Sequence, residues 1–138
     1  MSDARWRPGD PVDWERPGKL WTGGGLHAFV LETTGARTGL VRRAVLGYLD
    51  EEDGWLVIAS KGGAPTNPAW VHNLAVQPEA TVVLADGTRV PVRAERLAGE
   101  EYDRAWERIG EEAPEYPVYR SRTTREIPVI RLARSERG

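Results

Sequence analysis

The sequence predicts an α+β fold: a small antiparallel β-barrel of about six strands with two or three helices. Three observations carry this. Two segments each hold a pair of apolar runs around a turn signal, so they read as β-hairpins. No strand–helix–strand alternation of the kind that builds a parallel sheet is present. The short β-branched runs are packed into 138 residues, the length of one domain. Residues 21–138 are therefore read as the single domain, and residues 1–20 as a lead segment.

The elements follow in order. HAFVLETTG (27–35) is apolar and β-branched and runs into a glycine, a strand entering a turn. RRAVLGYLDEEDGWLVIAS (42–60) is the first hairpin, with Asp50 to Gly54 between its apolar runs. NPAWVHNLAVQP (67–78) reads as a short helix, with Asn67 as N-cap, Pro68 at the first helical position and Pro78 as its stop. EATVVLADGTRVPVRAERL (79–97) is the second hairpin, turning at Asp86-Gly87. Pro91 lacks a backbone donor and pushes its strand toward an edge or a bulge. AGEEYDRAWERIGEEA (98–113) places Tyr102, Ala105, Trp106 and Ile109 on one helical face. EYPVYRSRT reads as a loop, and REIPVIRLA (125–133) as the last strand.

Composition excludes several classes. The net charge is −2, so there is no global basic field to attract nucleic acid. There is no cysteine, which removes disulfides, thiol nucleophiles and cysteine metal sites. His27 and His72 are the only histidines, too few for a histidine-rich metal centre. The lead segment is charged and rich in proline and tryptophan, unlike a secretion signal. No apolar run reaches the about 18 residues of a membrane span. A cytoplasmic protein is expected, with peripheral membrane contact left open by Trp6, Trp14 and Trp21. Those three indoles read as a lid or brace over the domain.

Two loops are candidates for chemistry. TTGARTGLVRR (33–43) sets Arg37, Thr38, Arg42 and Arg43 around two glycines, without the lysine and hydroxyl spacing of a phosphate-binding Walker loop. ASKGGAPTNPAWVHNL (59–74) leaves a strand through Ser60-Lys61-Gly62-Gly63 and enters a helix whose Trp70 and Asn73 share a side. Glycines permit close approach of backbone to a ligand, and Lys61 with a helix start suits an anion. On spacing alone this remains an even choice between a glycine turn with a core tryptophan and a site. His72 points away from the Trp70–Asn73 side and reads as a surface or packing residue. Neither loop holds a nucleophile beside a base, so an enzyme built on them would draw its reactive atom from a bound cofactor.

Taken together, the two loops resemble the deazaflavin-dependent nitroreductase family of split β-barrel oxidoreductases, which use coenzyme F420. The likeness lies in TTGARTG with Arg42 after it, in SKGG, in NPAWVHNL with Pro78 closing the helix, and in REIPVIRL. It runs from about residue 20 to residue 133. The fold it implies is the FMN-binding-like split barrel. The activity it implies is hydride transfer from reduced F420 to an electron-poor small molecule: an activated alkene or enone, a quinone or a nitro-aromatic.

The resemblance also implies a site. Arg37, Thr38, Arg42, Lys61 and Asn73 would hold the anionic phosphate and glutamate tail. The deazaflavin ring would lie along Ile58, Ala59, Ser60, Gly62 and Gly63, with Pro68 and Trp70 nearby. Ser60, Tyr116 and Tyr119 are the hydroxyl donors expected to act on the acceptor, and no metal is required. A local basic rim then suffices, whatever the net charge. The implied partners are the acceptor and, through free coenzyme, an F420-regenerating dehydrogenase; a monomer and a homodimer both fit. Three positions depart from the family pattern. Ala36 replaces an arginine, Val45 replaces a proline, and Gly47 stands where a bulkier ring-side residue is usual, which suggests room for a larger substrate or altered cofactor handling. FMN on the same barrel, or a non-redox binder of lipids or small molecules, are the alternatives.

Overall fold

The computed structural model describes residue 6 and residues 9–22 and 25–135. It contains strands β1 (Leu20–Trp21), β2 (His27–Thr34), β3 (Val41–Glu51), β4 (Gly54–Ile58), β5 (Glu79–Val83), β6 (Arg89–Arg96) and β7 (Val129–Arg134). Helices α1 (Ala69–Val76), α2 (Gly99–Glu112) and α3 (Glu115–Ser121) complete it. Neighbours run in the order β2-β3-β4-β7-β6-β5, and β5 closes back onto β2, so six strands form a closed barrel with every pair antiparallel. The two-residue β1 lies outside it, paired with the start of β2.

Alternation along the strands sorts side chains into three packed groups. Phe29, Leu31, Leu46, Trp55, Val57, Val82, Val92, Ile130 and Leu132 come from all six barrel strands and meet Trp70, Val71 and Leu74 of α1 in one cluster, the barrel interior. Leu56 and Ile58 face the other way, onto Tyr102, Ala105, Trp106 and Ile109 of α2. β4 is therefore buried on both faces, which is why it reads as an unbroken apolar run. The predicted face of α2 is the one that is buried. Ala28, Val30 and Val83 form a third patch, covered by Leu20, Trp6 and Val12. The described part of the lead segment thus braces the outside of β2; residues 1–5, 7 and 8 lie outside the described residues.

The element boundaries depart from expectation at four places, each for a physical reason. Asn67 does not cap α1. Pro68 holds the cap position, and the Asn67 side chain instead accepts a hydrogen bond from Arg125. Residues 125–128 are not strand: β7 begins only at Val129, because Arg125 turns back to bind the loop after β4. Pro91 is not on an edge strand, since β6 pairs on both sides; β7 pairing starts one residue later, at Val92, so no donor is missed. The tyrosine segment is a helix rather than a loop. Pro117 falls in the first turn of α3, where a missing N–H is tolerated, and Tyr116 anchors that turn in the core beneath α2. Among the described residues no helix is long and apolar enough to cross a membrane.

Candidate functional site

The basic turn between β2 and β3 is held by its own hydrogen bonds. The Gly35 N–H donates to the Leu40 carbonyl at 2.7 Å, and the Gly39 N–H to the Gly35 carbonyl at 2.9 Å. Gly39 has φ 72°, which favours glycine. The Thr38 hydroxyl accepts from the Leu40 N–H at 3.2 Å, so that side chain shapes the turn. Asn73 fastens the turn to α1. Its Oδ1 accepts the Ala36 N–H at 2.9 Å, and its Nδ2 donates to the buried Thr33 hydroxyl at 3.0 Å. Asn73 thus acts first as a brace that carries Arg37 and Arg42.

Three arginines stand along this turn, but they are not equivalent. Arg43 is paired with Glu32 at 3.0 Å, and Arg89 binds the same carboxylate. Burial raises the Glu32 pKa, yet the hydrogen bonds and charges of Arg89 and Arg43 outweigh it and hold the carboxyl below its usual range. Arg37 and Arg42 form no ion pair among the described residues, and both are exposed. Their charge is free for a ligand.

The Ser60–Gly63 stretch is a single 3-10 turn, Lys61–Gly63, entered through Ser60. Lys61 has φ 48°, the one positive value at a non-glycine among the described residues. A left-handed lysine costs roughly 1–2 kcal/mol, so its surroundings must hold it. Arg125 does this from across the fold. Its Nε donates to the Ala64 carbonyl at 2.7 Å and one Nη to Asn67 Oδ1 at 2.7 Å. The other Nη donates to the Ser60 carbonyl at 2.8 Å and the Ala59 carbonyl at 3.1 Å. Burial lowers the Arg125 pKa, but a guanidinium stays charged. Gly63 is explained by packing: a Cβ there would lie 2.7 Å from the Tyr119 carbonyl and 2.8 Å from Arg122 Cβ. The second glycine of the motif lets α3 approach the turn.

Two adjoining cavities join these elements. The larger, about 1070 Å³, lies between the basic turn and α1 and is lined by Arg37, Thr38, Arg42, Trp70 and Asn73. His72 stands on its rim, exposed. The smaller, about 360 Å³, is bounded by Ile58, Ser60, Lys61 and Pro68 on one side and by Tyr116 and Tyr119 on the other. Ala44 and Trp70 line both, so a ligand can run from one into the other past the indole. Trp70 also packs in the barrel interior, so core and site share one ring. Ala59 is buried behind this wall.

Several hydroxyl groups meet in the smaller cavity. Tyr116 and Tyr119 pack edge to face, with ring centroids 5.3 Å apart. The Tyr116 hydroxyl lies 3.2 Å from Thr22 Oγ1. Burial is the main cause that pushes its pKa up; the Thr22 bond opposes this, and Tyr119 and Glu115 add to it. Gly47 does not open the space expected of it. A Cβ at Gly47 would meet Thr22 Cγ2 at 2.7 Å, the Tyr116 hydroxyl at 3.0 Å and Leu26 Cβ at 3.1 Å. The absent side chain is replaced by this chain's own threonine and tyrosine.

The structure therefore gathers Ser60, Lys61, Tyr116 and Tyr119 around one cavity, and Arg37, Thr38, Arg42 and Asn73 around the next. Gly62 lies in the turn between Lys61 and Gly63. Sequence reasoning missed Thr22, Thr33 and Arg125. Thr33 was accessible to strand alternation, since it shares a face with Phe29 and Leu31. Thr22 and Arg125 carry no local signal, because their partners are 94 and 58 or more residues away. No cluster of three or more His, Cys, Asp or Glu suited to a metal ion occurs among the described residues.

The model of the F420H(2)-dependent quinone reductase family matches residues 15–133. An F420H(2)-dependent quinone reductase of Mycobacterium tuberculosis H37Rv is 38% identical over 114 residues, covering 80% of this chain and 76% of that protein. A solved structure of an F420-H2 dependent reductase superposes with a TM-score of 0.67 at 33% identity, covering 76% of this chain and 92% of the other. Another, described as a domain-swapped dimer, gives 0.68 at 33% identity over 76% of this chain and 78% of its own.

Proposed function

This chain belongs to the F420H(2)-dependent quinone reductase family, and from that premise we propose that its two joined cavities bind reduced coenzyme F420 and an electron-poor acceptor, a quinone before others, for hydride transfer. The observation that carries the reading is the division of the groove. One end presents two arginines without carboxylate partners among the described residues, and the other presents a lysine, buried hydroxyls and flat apolar walls. A cofactor with an anionic tail and a planar ring needs those two surfaces joined. The residues fit the group.

Arg37 and Arg42 would hold the tail, with Thr38 and Asn73 fixing the turn that presents them. Lys61 stands between tail and ring. Ile58 and Ser60 form one wall of the ring pocket, with Ala59 buried behind it and Pro68 and Trp70 at its edge. Reduced F420, when bound, supplies a hydride. An acceptor quinone that takes up this hydride gains negative charge on oxygen and needs one proton. Tyr116 is suited to give it: burial keeps the phenol protonated, and Thr22 aims it. Ser60 and Tyr119 are the other hydroxyls of the cavity, available to polarise the acceptor carbonyl. The buried Ser60 and Tyr116 side chains sit where two bound rings would limit water around the reacting atoms.

The test is a fluorescence titration of the purified protein with oxidised F420, with FMN alongside, followed by anaerobic mixing of reduced F420 with a naphthoquinone. Micromolar F420 binding, weaker FMN binding and recovery of the oxidised coenzyme absorbance are expected. Absence of F420 binding at micromolar levels overturns the proposal.

A further inference from the structure

Tyr116 and Tyr119 both ride on α3, a helix of seven residues. A helix this short does not hold its shape or direction by itself. No side-chain hydrogen bond caps its N-terminus among the described residues. Its orientation, and with it the aim of both hydroxyls, is set by what it packs against. Burial of Tyr116 beneath α2 is one such contact. A second lies toward the Lys61 turn. Gly63 leaves room there for the Tyr119 carbonyl and the Arg122 side chain, and the Arg122 guanidinium carbon lies 5.7 Å from the Tyr119 ring centroid.

Arg120 makes the third contact. Its guanidinium carbon lies 4.5 Å from the Trp106 ring centroid and 5.7 Å from that of Tyr102. Both distances fall within the reach of cation attraction to an aromatic face. The two rings form a fixed platform on α2. They meet edge to face with centroids 6.5 Å apart, both are buried, and the Tyr102 hydroxyl donates to the Ile127 carbonyl at 2.9 Å. Arg120 stands four residues after Tyr116, so both project from the same side of α3. Tyr116 enters the core there, while Arg120 stays exposed and rests on the rings of α2. Arg120 lines neither cavity of the groove, so any effect it has on a bound acceptor passes through the helix.

We propose that Arg120 is a positioning residue: stacked on Trp106, it fixes the angle of α3 and so aims the Tyr116 hydroxyl at the acceptor. The proposal rests on the quinone reductase reading, in which Tyr116 gives the proton. A proton donor works only within hydrogen-bond reach of the atom it serves. A phenol that pivots with its helix spends less time in that reach. The loss is one of kcat and not of coenzyme affinity, because the basic turn and the Lys61 turn are held by Asn73 and Arg125.

The experiment has three readouts: kcat with a methyl-substituted naphthoquinone at saturating reduced F420, F420 affinity by fluorescence, and amide hydrogen exchange over residues 116–123. Arg120→Ala is expected to lower kcat about fivefold and to speed exchange over α3 by about the same factor, the size of one cation–ring contact. F420 affinity should stay within about twofold of wild type, and unaltered exchange over the barrel strands shows that the variant is folded. Arg120→Lys, which keeps a cation over the rings, should recover most of the loss. Arg120→Gln, polar but uncharged, should behave like Arg120→Ala. In a Tyr116→Phe background, Arg120→Ala should cost less than about twofold in kcat, because residues that act through one another are not additive. Unchanged kcat in Arg120→Ala overturns the proposal. An equal loss in both backgrounds also overturns it, since Arg120 then does not act through the phenol. If no quinone oxidises reduced F420 in the wild type, the reductase reading falls, while faster exchange in Arg120→Ala keeps Arg120 as the anchor of α3. Unchanged exchange in that case overturns both.

Discussion

The Arg125 guanidinium donates to the Ser60 carbonyl at 2.8 Å, across 65 residues of sequence. The same group also reaches Ala59, Ala64 and Asn67, so one planar fork holds both sides of the turn that carries Lys61. A lysine cannot reproduce this geometry, because its donors diverge from one point. Hydrogen bonds to a charged group contribute about 1.5–3 kcal/mol each. Arg125→Lys is expected to lose about 2–4 kcal/mol of stability by thermal melting, and Arg125→Met more. F420 affinity in the folded Lys variant should fall about tenfold as the Lys61 turn relaxes. A melting temperature within a degree or two of wild type would show that the turn holds itself.

Tyr116 gives a pH prediction with a definite sign. Its folded pKa lies above the ordinary tyrosine value, chiefly through burial. Its contribution to stability is therefore complete below about pH 10, the unfolded value. It is lost as pH rises from there through the folded value, because the unfolded chain releases the proton first. Melting temperature from pH 9 to 11 should fall more steeply in wild type than in Tyr116→Phe. The same variant should lower kcat about 100-fold while leaving F420 affinity unchanged. A parallel pH trend in both proteins would remove the buried phenol from the balance.

How much of this was legible in sequence depends on how far the cause lies along the chain. The face of α2, the two hairpins and the Asp86-Gly87 turn are local patterns, and the structure has them. Both loops of the groove were legible as well, through residue types that suit an anion. The reason for a residue was harder to read. Gly63 and Asn73 read as ligand contacts, yet Gly63 makes way for α3 and Asn73 holds the basic turn. α3 itself was hidden because Pro117 and Tyr119 look like loop residues until Tyr116 is seen in the core. Arg125 stood at the head of an apolar run and looked like a solvated strand end.

Gly47 yields a steric prediction. Its backbone is ordinary, so only the Cβ matters. In Gly47→Ala that carbon would lie 2.7 Å from Thr22 Cγ2 and 3.0 Å from the Tyr116 hydroxyl. Overpacking of this kind costs about 1–3 kcal/mol. Thr22→Ser removes the clashing methyl and keeps the hydroxyl. The double variant should recover at least half of the stability lost by Gly47→Ala, and with it the activity. A double variant no better than additive would mean that the tyrosine, not the threonine, meets the new methyl.

The two neighbouring arginines of β3 offer a test of which charges serve a ligand. Arg43 is committed to Glu32, which also holds Arg89, whereas Arg42 has no carboxylate partner among the described residues and lines the large cavity. Neighbouring residues on a strand point to opposite faces, so the two side chains diverge by construction. Arg42→Ala is expected to weaken F420 about tenfold, which is about 1.4 kcal/mol. Arg43→Ala should weaken it less than threefold and lower the melting temperature instead, by freeing one side of Glu32. Lys61→Ala should resemble Arg42→Ala. The losses at Arg42 and Lys61 should shrink as salt is raised, because screening already weakens those contacts in the wild type. Equal effects of Arg42→Ala and Arg43→Ala on F420 would show that the Glu32 pair opens when the tail binds.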